Sequence, residues 1–192
     1  RHTDGWVITS AEQGLHPEQY GAVVLAVPAP QAVPLLAPVA PAGTVVAASV
    51  RMRGSWAVML RYAAPLAMPW EGVFINTGPL RWVARDSSKP GRTGPETWLL
   101  HASPEWSDAH MEDDADAVTA ALIAAFVALG GPAPLAATAH RWRYADTEPP
   151  LALGSWWDAS LRLGMCGDWL NGGKAEGAWL SGRALAQQVQ AA

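Results

Sequence analysis

The sequence predicts a mixed α/β fold of the α+β type. Half of the 192 residues are apolar and only 16% are charged, so the chain can bury a sizeable core. Strand-length apolar segments follow one another through the middle of the chain, separated by turns rich in proline and glycine. Segments with helical spacing of apolar residues come later, at 107–129 and 176–190. This order favours an antiparallel sheet with helices packed against it, and further strands nearer the ends.

The first 43 residues are predicted to contain a strand and a short helix. Residues 22–27 form a continuous apolar run, which favours a strand buried in the middle of a sheet. Pro28 ends this run, and a short helix is predicted at 30–36. Proline and alanine dominate residues 37–43, which we interpret as a boundary between domains.

Residues 44–150 differ in character and predict an antiparallel sheet. Strand-length pieces separated by Pro/Gly turns are typical of consecutive hairpin strands. The predicted strands are 55–62, 72–77, 80–85, 96–102 and 137–144.

The clearest helix is predicted at about 107–129. Acidic residues at 112–116 would lie in its early turns, where they suit the helix dipole. Val118, Leu122 and Phe126 fall on one apolar stripe, and Gly130 provides a C-terminal stop.

Composition argues against several classes of function. A net charge of −4 disfavours binding to nucleic acid or to an anionic membrane. The five histidines are scattered without the spacing of metal ligands, so no metal site is expected. The longest apolar run, 117–129, is shorter than the roughly 20 residues of a membrane helix. The single cysteine, Cys166, cannot form a disulfide within the chain, which fits a cytoplasmic protein.

The segment 165–186 carries the most specific functional signal. A short apolar stretch runs into Gly167-Asp168, the loop Gly172-Gly173 follows, and a helix is predicted to open at about Ala175. A helix N-terminus offers unpaired N–H groups and a partial positive charge. Because the Asp168 carboxylate can accept hydrogen bonds from hydroxyls, this segment is suited to an anionic, hydroxyl-rich ligand.

The sequence GDWLNGGKAEGAWLSGRALA, at 167–186, resembles the C-terminal flavin-binding segment of FAD-dependent amine-oxidase-like and renalase-like oxidoreductases. The shared pattern is GD, a glycine loop, EGA, SG and a later alanine. Residues 22–30 resemble a strand of the FAD domain in that superfamily, and residues 80–92 and 98–106 resemble the substrate domain of the renalase-like branch. The resemblance covers essentially all of the chain.

This resemblance implies the C-terminal part of a two-domain FAD-binding flavoprotein with an antiparallel-sheet substrate domain. Residues 1–43 and 151–192 would belong to the FAD-binding domain, and residues 44–150 to the substrate domain. The strand–G-x-G-x-x-G–helix unit that holds the pyrophosphate is absent from the sequence. We therefore expect a fragment, about 60% of such an enzyme.

The resemblance also implies a set of cofactor-binding residues for non-covalent FAD. Asp168 would bond ribityl hydroxyls, and the first turn of the last helix would face the N1–C2=O edge of the flavin. The alternative roles are a capping aspartate for Asp168 and an ordinary first-turn acid for Glu176. The implied residues are Gly167, Asp168, Gly172, Gly173, Ala175, Glu176, Gly177 and Ala178.

Four residues are substrate-side candidates: Trp82, Arg85, Trp142 and His101. An aromatic wall would pack on a planar substrate, and Arg85 could bind a carboxylate or phosphate. For each residue alone, structural packing is the stronger alternative. The eleven tryptophans fit an aromatic-lined cavity or a compositional bias equally well. No catalytic acid or base is assigned, because the flavin carries the chemistry in such enzymes.

The leading hypothesis is an FAD-dependent oxidoreductase of the renalase-like kind. A small-molecule substrate, either an amine or a dihydronicotinamide, would give a hydride to the flavin, and O₂ would reoxidise it. The alternative is a truncated, non-catalytic module that binds a ligand or a partner and has lost the nucleotide half. A weaker alternative is a desaturase or hydroxylase on the same scaffold.

Overall fold

The computed structural model describes residues 5–75 and 77–192. His2, the first four residues of the predicted segment 1–43, and Asn76 of the predicted strand 72–77 lie outside the described residues. The chain divides into a first unit, Arg1–Met52 with Asp146–Ala192, and a second unit, Arg53–Ala145. The assignment of 1–43 and 151–192 to a cofactor domain, and of 44–150 to a substrate domain, remains a prediction.

Ten strands and five α-helices lie in the described residues, with short 3-10 turns at Asp86–Ser88 and Asp168–Leu170. In chain order the elements are β1 Thr9–Ser10, β2 Gly14–Leu15, β3 Val23–Leu25, α1 Ala29–Leu36, α2 Pro41–Ala48, β4 Arg51–Tyr62, β5 Gly72–Phe74, β6 Leu80–Arg85, β7 Glu96–Ala102, α3 Pro104–Ala109, α4 Ala115–Ala128, β8 Ala136–Glu148, β9 Trp156–Asp158, β10 Leu163–Met165 and α5 Ala175–Gln190.

The first unit contains a three-stranded sheet in the order β3-β10-β9 and a short β1–β2 hairpin. Strand β10 runs parallel to β3 and antiparallel to β9. Buried residues of α1 and α2 pack with the β10 region, as in Leu36, Ala47 and Met165. The expectation that the 22–27 run lies in the middle of a sheet is wrong for the described residues. Strand β3 pairs on one side only, and Val24 is 46% exposed.

Helix α2 occupies part of the segment predicted to be a domain boundary at 37–43. Pro41 lies in the first turn of α2. Backbone N–H groups in a first turn make no hydrogen bond within the helix, so a proline, which has no N–H, is tolerated there. Gly43 faces the Trp156 ring so closely that a Cβ would lie 2.9 Å from it. Proline here starts a helix and not a loop, and the domain boundary expected at 37–43 remains a prediction.

The second unit is built on a five-stranded sheet in the order β5-β6-β7-β4-β8. Strands β5, β6, β7 and β4 pair antiparallel, which confirms the predicted antiparallel sheet. The observed β6 and β7 match the predicted strands 80–85 and 96–102. One sheet face packs on α4 and forms a buried core, with Trp56, Val58, Leu60, Val83, Trp98, Leu100, Val118, Leu122 and Phe126 among its members.

The single helix predicted at 107–129 is wrong, because the chain forms α3 and α4 with a break between them. The Asp114 side chain accepts hydrogen bonds from the N–H groups of Asp116 and Ala117 and so caps α4. Glu112 and Asp113 therefore precede α4 instead of lying in its early turns. Acidic residues are favourable both in the first turn of a helix and at its N-cap position. In the structure Asp114 takes the N-cap position of α4.

Candidate functional site

The predicted cofactor residues form one continuous segment of the first unit, from the end of β10 to the start of α5. Backbone hydrogen bonds close this segment on itself. The N–H groups of Asn171 and Gly173 donate to the Asp168 carbonyl at 2.9 and 2.8 Å. The Gly167 N–H donates to the Ser181 hydroxyl at 3.0 Å, so α5 fixes the position of the turn.

The structure shows why glycine occupies three positions of this segment: two have a positive φ, and one leaves no room for a Cβ. Gly172 and Gly173 take φ of 84° and 71°, which side chains rarely adopt. A Cβ on Gly177 would lie 2.0 Å from the carbonyl oxygen of Asn171, whose side-chain amide also donates to the Gly177 carbonyl at 3.2 Å. Gly177 therefore lets α5 approach the loop that precedes it.

The Asp168 side chain has no hydrogen bond or ion pair within residues 5–75 and 77–192, although it is half-buried. It does not act as a cap, because the residue before α5 is Lys174 and no side chain accepts from the first turn of that helix. The described side-chain atoms that are both fully buried and without a partner do not include the Asp168 oxygens, so a ligand with hydroxyl groups can reach these oxygens and donate to them.

Helix α5 begins at Ala175, as predicted, with its first turn free of side-chain caps. The first N–H groups of a helix have no intrahelical partner, and Ala175 and Glu176 are exposed. The segment therefore places an unpartnered carboxylate and a positive helix end in one short loop. This donor and acceptor set fits the polyol and electron-rich ring edge of a flavin.

Two substrate-side candidates, Trp82 and His101, are cross-strand neighbours on β6 and β7. Phe74 on β5 lies opposite Trp82 in turn, with the two ring centroids 4.5 Å apart. Burial lowers the pKa of His101, and the positive charge of Lys89 lowers it further. Both effects favour the neutral form of the His101 imidazole.

Trp142 lies on β8 and is 53% exposed, with its ring against His140 at 4.4 Å between centroids. Ala137 and Ala139 of β8 pack against the core cluster, so the alternating residues His140 and Trp142 lie on the opposite face of the sheet. Trp82 and His101 also alternate with core residues. We call Phe74, Trp82, His101 and Trp142 the aromatic face.

Arg85 is not part of the aromatic face. It lies opposite Trp98, on the core side of the sheet, with its guanidinium 5.2 Å above the Trp98 ring. Its Nε is 3.0 Å from Glu96, its Nη1 is 3.6 Å from Glu71, and Nη2 donates to the Leu66 carbonyl. These contacts favour the packing role of Arg85 over the substrate-binding role.

Glu96 is a buried acid that sequence reasoning missed. Burial by itself raises the pKa of Glu96, but hydrogen bonds from Ser87, Trp98 and the Leu66 N–H, together with Arg85, outweigh it and lower the pKa. Alternation along β7 could have shown that Glu96 shares a face with Trp98. Phe74 was also missed, because β5 has only three residues and shows no clear alternation.

Residues 5–75 and 77–192 contain no helix long and apolar enough to cross a membrane. No group of three or more His, Cys, Asp or Glu side chains there could hold a metal ion.

No protein-family model matches the sequence. Solved structures do match it. A protoporphyrinogen oxidase-type protein from Exiguobacterium sp. 255-15 superposes with a TM-score of 0.77 at 12% identity, covering 100% of this chain and 45% of that one. Cyclohexylamine oxidase from Brevibacterium oxydans IH-35A gives 0.63 at 16% identity, covering 91% and 44%. A putrescine oxidase redesigned in cofactor binding gives 0.59 at 16% identity, covering 91% and 43%.

The chain thus spans less than half the length of these structures, a smaller share than the sequence led us to expect. At such low sequence identity the superpositions show similarity of fold only. The chain is similar in fold to the C-terminal portion of amine-oxidase-like FAD-binding proteins.

Proposed function

We propose that this chain is part of an FAD-dependent oxidoreductase with a small-molecule substrate. The observation that carries the proposal is the β10–α5 segment. It offers the unpartnered Asp168 carboxylate and the uncapped α5 N-terminus within one loop. The similarity in fold to oxidases supports the same class of reaction.

The residues of the segment would hold the cofactor without a covalent bond. Asp168 accepts hydrogen bonds from the polyol, and the glycine loop admits the ligand close to the backbone. The α5 N-terminus stabilises negative charge at the ring edge. When bound, FAD would supply the redox chemistry, taking a hydride from a carbon next to nitrogen and passing two electrons to O₂ to give H₂O₂.

The aromatic face would orient the substrate. Trp82 and Phe74 present ring surface to a flat molecule, and the neutral His101 offers a hydrogen-bonding nitrogen without adding charge. Either an amine or a dihydronicotinamide, as in the renalase-like branch, would suit such a surface. Trp142 extends it along the edge strand β8.

The test is titration of the purified protein with FAD, followed by flavin fluorescence and by the melting temperature. We expect saturable binding and a rise in melting temperature, because a ligand that binds only the folded state stabilises it. Asp168→Asn should weaken binding by at least about tenfold, since a hydrogen bond to a charged group contributes about 1.5–3 kcal/mol. The matched control is Asp116→Asn, which removes an acid from the first turn of α4.

A melting temperature that changes neither at saturating FAD nor at saturating riboflavin, which has the polyol and ring but no pyrophosphate, would contradict the proposal. The second hypothesis, a non-catalytic module that binds another ligand or a partner, would then take its place. Detection of a hydroxylated product instead of H₂O₂ would indicate a different flavin chemistry on the same scaffold.

A further inference from the structure

An irregular segment, residues 63–71, connects β4 to β5 and packs on the buried core of the second unit. We call it the strap. Half-buried side chains alternate along it with exposed ones, and Leu66, Met68 and Trp70 contact the core cluster. The Trp70 ring meets the Trp98 ring edge-on, with 5.3 Å between centroids. Because the strap contains no helix or strand, its backbone N–H and C=O groups need partners outside a regular ladder.

A buried ion pair between Arg85 and Glu96 supplies those partners at Leu66. The Leu66 N–H donates to Glu96 Oε1 at 3.2 Å, and Arg85 Nη2 donates to the Leu66 carbonyl. Arg85 Nε lies 3.0 Å from Glu96 Oε1, and the two side chains are 17% and 7% exposed. Ser87 and Trp98 donate to the same carboxylate and fix its position. One ion pair therefore satisfies both backbone groups of a strap residue.

Arg85 also holds the end of the strap, at the point where it enters β5. The Arg85 backbone N–H donates to the Glu71 carbonyl at 2.7 Å, and Glu71 directly precedes β5. Arg85 Nη1 lies 3.6 Å from the Glu71 carboxylate, which is 65% exposed. An exposed ion pair contributes little, so the main anchors of the strap are the backbone bond at Glu71 and the two bonds at Leu66.

Strand β5 needs this support because its own pairing is short. It has three residues, fewer than the usual length of about 5–6, and among the described strands it pairs only with β6. The Ile75 N–H adds one bond, to the Arg81 carbonyl at 2.9 Å. The position of β5 at the sheet edge therefore depends on the strap as well as on its ladder with β6.

Two rings of the aromatic face depend on where β5 lies. Phe74 belongs to β5, and its ring centroid is 4.5 Å from that of Trp82. A Cβ on Gly72 would lie 2.8 Å from the Trp82 ring, so this ring also packs on the β5 backbone. A shift of β5 would carry Phe74 away and would remove the surface on which Trp82 packs.

We propose that Arg85 and Glu96 are positioning residues for the aromatic face. From the core side of the sheet they hold the strap, the strap fixes β5, and β5 fixes the Phe74–Trp82 surface on the opposite side. The inference rests on the proposed function only in calling that surface a substrate site. Arg85 therefore acts on a substrate through Phe74 and without touching it.

The experiment is fluorine NMR of the 192-residue chain labelled with 4-fluorophenylalanine. The sequence has two phenylalanines, Phe74 and Phe126, so two signals are expected, and Phe74→Leu assigns them. The Trp82 ring current displaces the Phe74 signal, whereas the fully buried Phe126 reports whether the core is intact. We expect Arg85→Met to move the Phe74 signal by more than its line width, toward that of the free amino acid, because β5 loses its anchor.

The matched control is Arg141→Met on β8, the other edge strand of this sheet. Arg141 likewise lies over a core tryptophan, at 5.5 Å against 5.2 Å for Arg85, and donates to a backbone carbonyl and to an acid. Its loss should leave the Phe74 signal in place. If Arg85→Met does not fold by circular dichroism, Arg85→Lys replaces it, since lysine keeps the charge but lacks the fork of donors that reaches Leu66 and Glu71.

An unmoved Phe74 signal in the folded Arg85 variant would overturn the proposal. An equal shift in Arg141→Met would do the same, because the effect would then follow from a general loss of stability. The result is separable from that of the FAD titration, since the NMR measurement needs neither flavin nor substrate. A Phe74 signal that depends on Arg85 in a chain that binds no flavin keeps the positioning role and refutes the proposed function. Flavin binding with an unmoved signal does the reverse.

Discussion

The β10–α5 segment of the first unit, which we propose holds the cofactor and call the cofactor segment, is assembled from neighbours in the chain. The aromatic face of the second unit is assembled from residues that are distant in the chain. The cofactor segment is a single stretch, 167–178, whose turn closes through its own backbone hydrogen bonds and one from Gly167 to Ser181. The aromatic face takes residues from separate strands, and each is placed by pairing with residues distant in the chain. A local site depends on glycines and backbone contacts, whereas a face built across a sheet depends on register.

The largest effect is expected for Gly177→Ala in the cofactor segment. The new Cβ would lie 2.0 Å from the Asn171 carbonyl oxygen, a backbone atom that cannot move aside cheaply. We expect a loss of about 3 kcal/mol in the free energy of unfolding, measured by urea denaturation. The matched control is Gly182→Ala in the same helix, where a Cβ would meet nothing within 4 Å. It should stabilise by up to about 1 kcal/mol, through helix propensity. Equal effects at both glycines would mean that the loop and α5 are not in close contact.

A smaller effect, and one that depends on pH, is expected for Glu96→Gln beneath the aromatic face. The pKa of Glu96 is lower in the folded protein, so its ionised form stabilises the fold above the ordinary glutamate pKa of about 4.3. That stability is lost as the pH falls through the lowered value.

At pH 7 we expect Glu96→Gln to cost about 2 kcal/mol, because it removes the charged partner of Arg85. The variant should also show a shallower decline in stability between pH 5 and pH 2, approximate limits set by the pKa of glutamate. Urea denaturation across this pH range measures both. A variant whose pH profile is parallel to that of the wild type would show that folding does not lower the pKa of Glu96.

The smallest effect on stability is expected for Phe74→Ala on the aromatic face. Phe74 is 64% exposed and contacts mainly the Trp82 ring, so its loss should cost less than about 1 kcal/mol. Urea denaturation measures this loss. Because Phe74 and Trp82 are proposed to pack on a flat substrate, the effect on substrate binding should be larger than the effect on stability. A loss of stability as large as that of Gly177→Ala would mean that the face is part of the core and not a binding surface.

Sequence patterns predicted the elements whose signals are local. Strands β6 and β7 lie where the Pro/Gly turns delimit them, and α5 opens at Ala175 after the glycine loop. The predicted 107–129 helix failed because Asp114 suits a cap and an early helical turn equally well, and local propensity does not choose between them. Helix α2 was missed because Pro41 reads as a boundary unless the following turn is known to be helical.

For the candidate site, too, the sequence predicted local features and the structure added the contacts between distant residues. The sequence predicted cofactor-binding residues within 167–178, and that assignment stays a prediction. It did not show the close contact between Gly177 and Asn171. It identified Trp82 and His101 separately, and it grouped Arg85 with them. Only the pairing of the strands shows that the Arg85 side chain contacts Trp98 and Glu96 on the core side of the sheet.

By itself the sequence determined the composition of a core, the positions of β6 and β7 along the chain and the chemical groups of the 167–178 loop, because these depend on neighbours within a few residues. The tertiary structure decided which side chains share a face, which acids are paired, and where donors remain without acceptors. Those properties follow from strand register and burial, and a change of one residue in register moves every side chain of a strand to the other face.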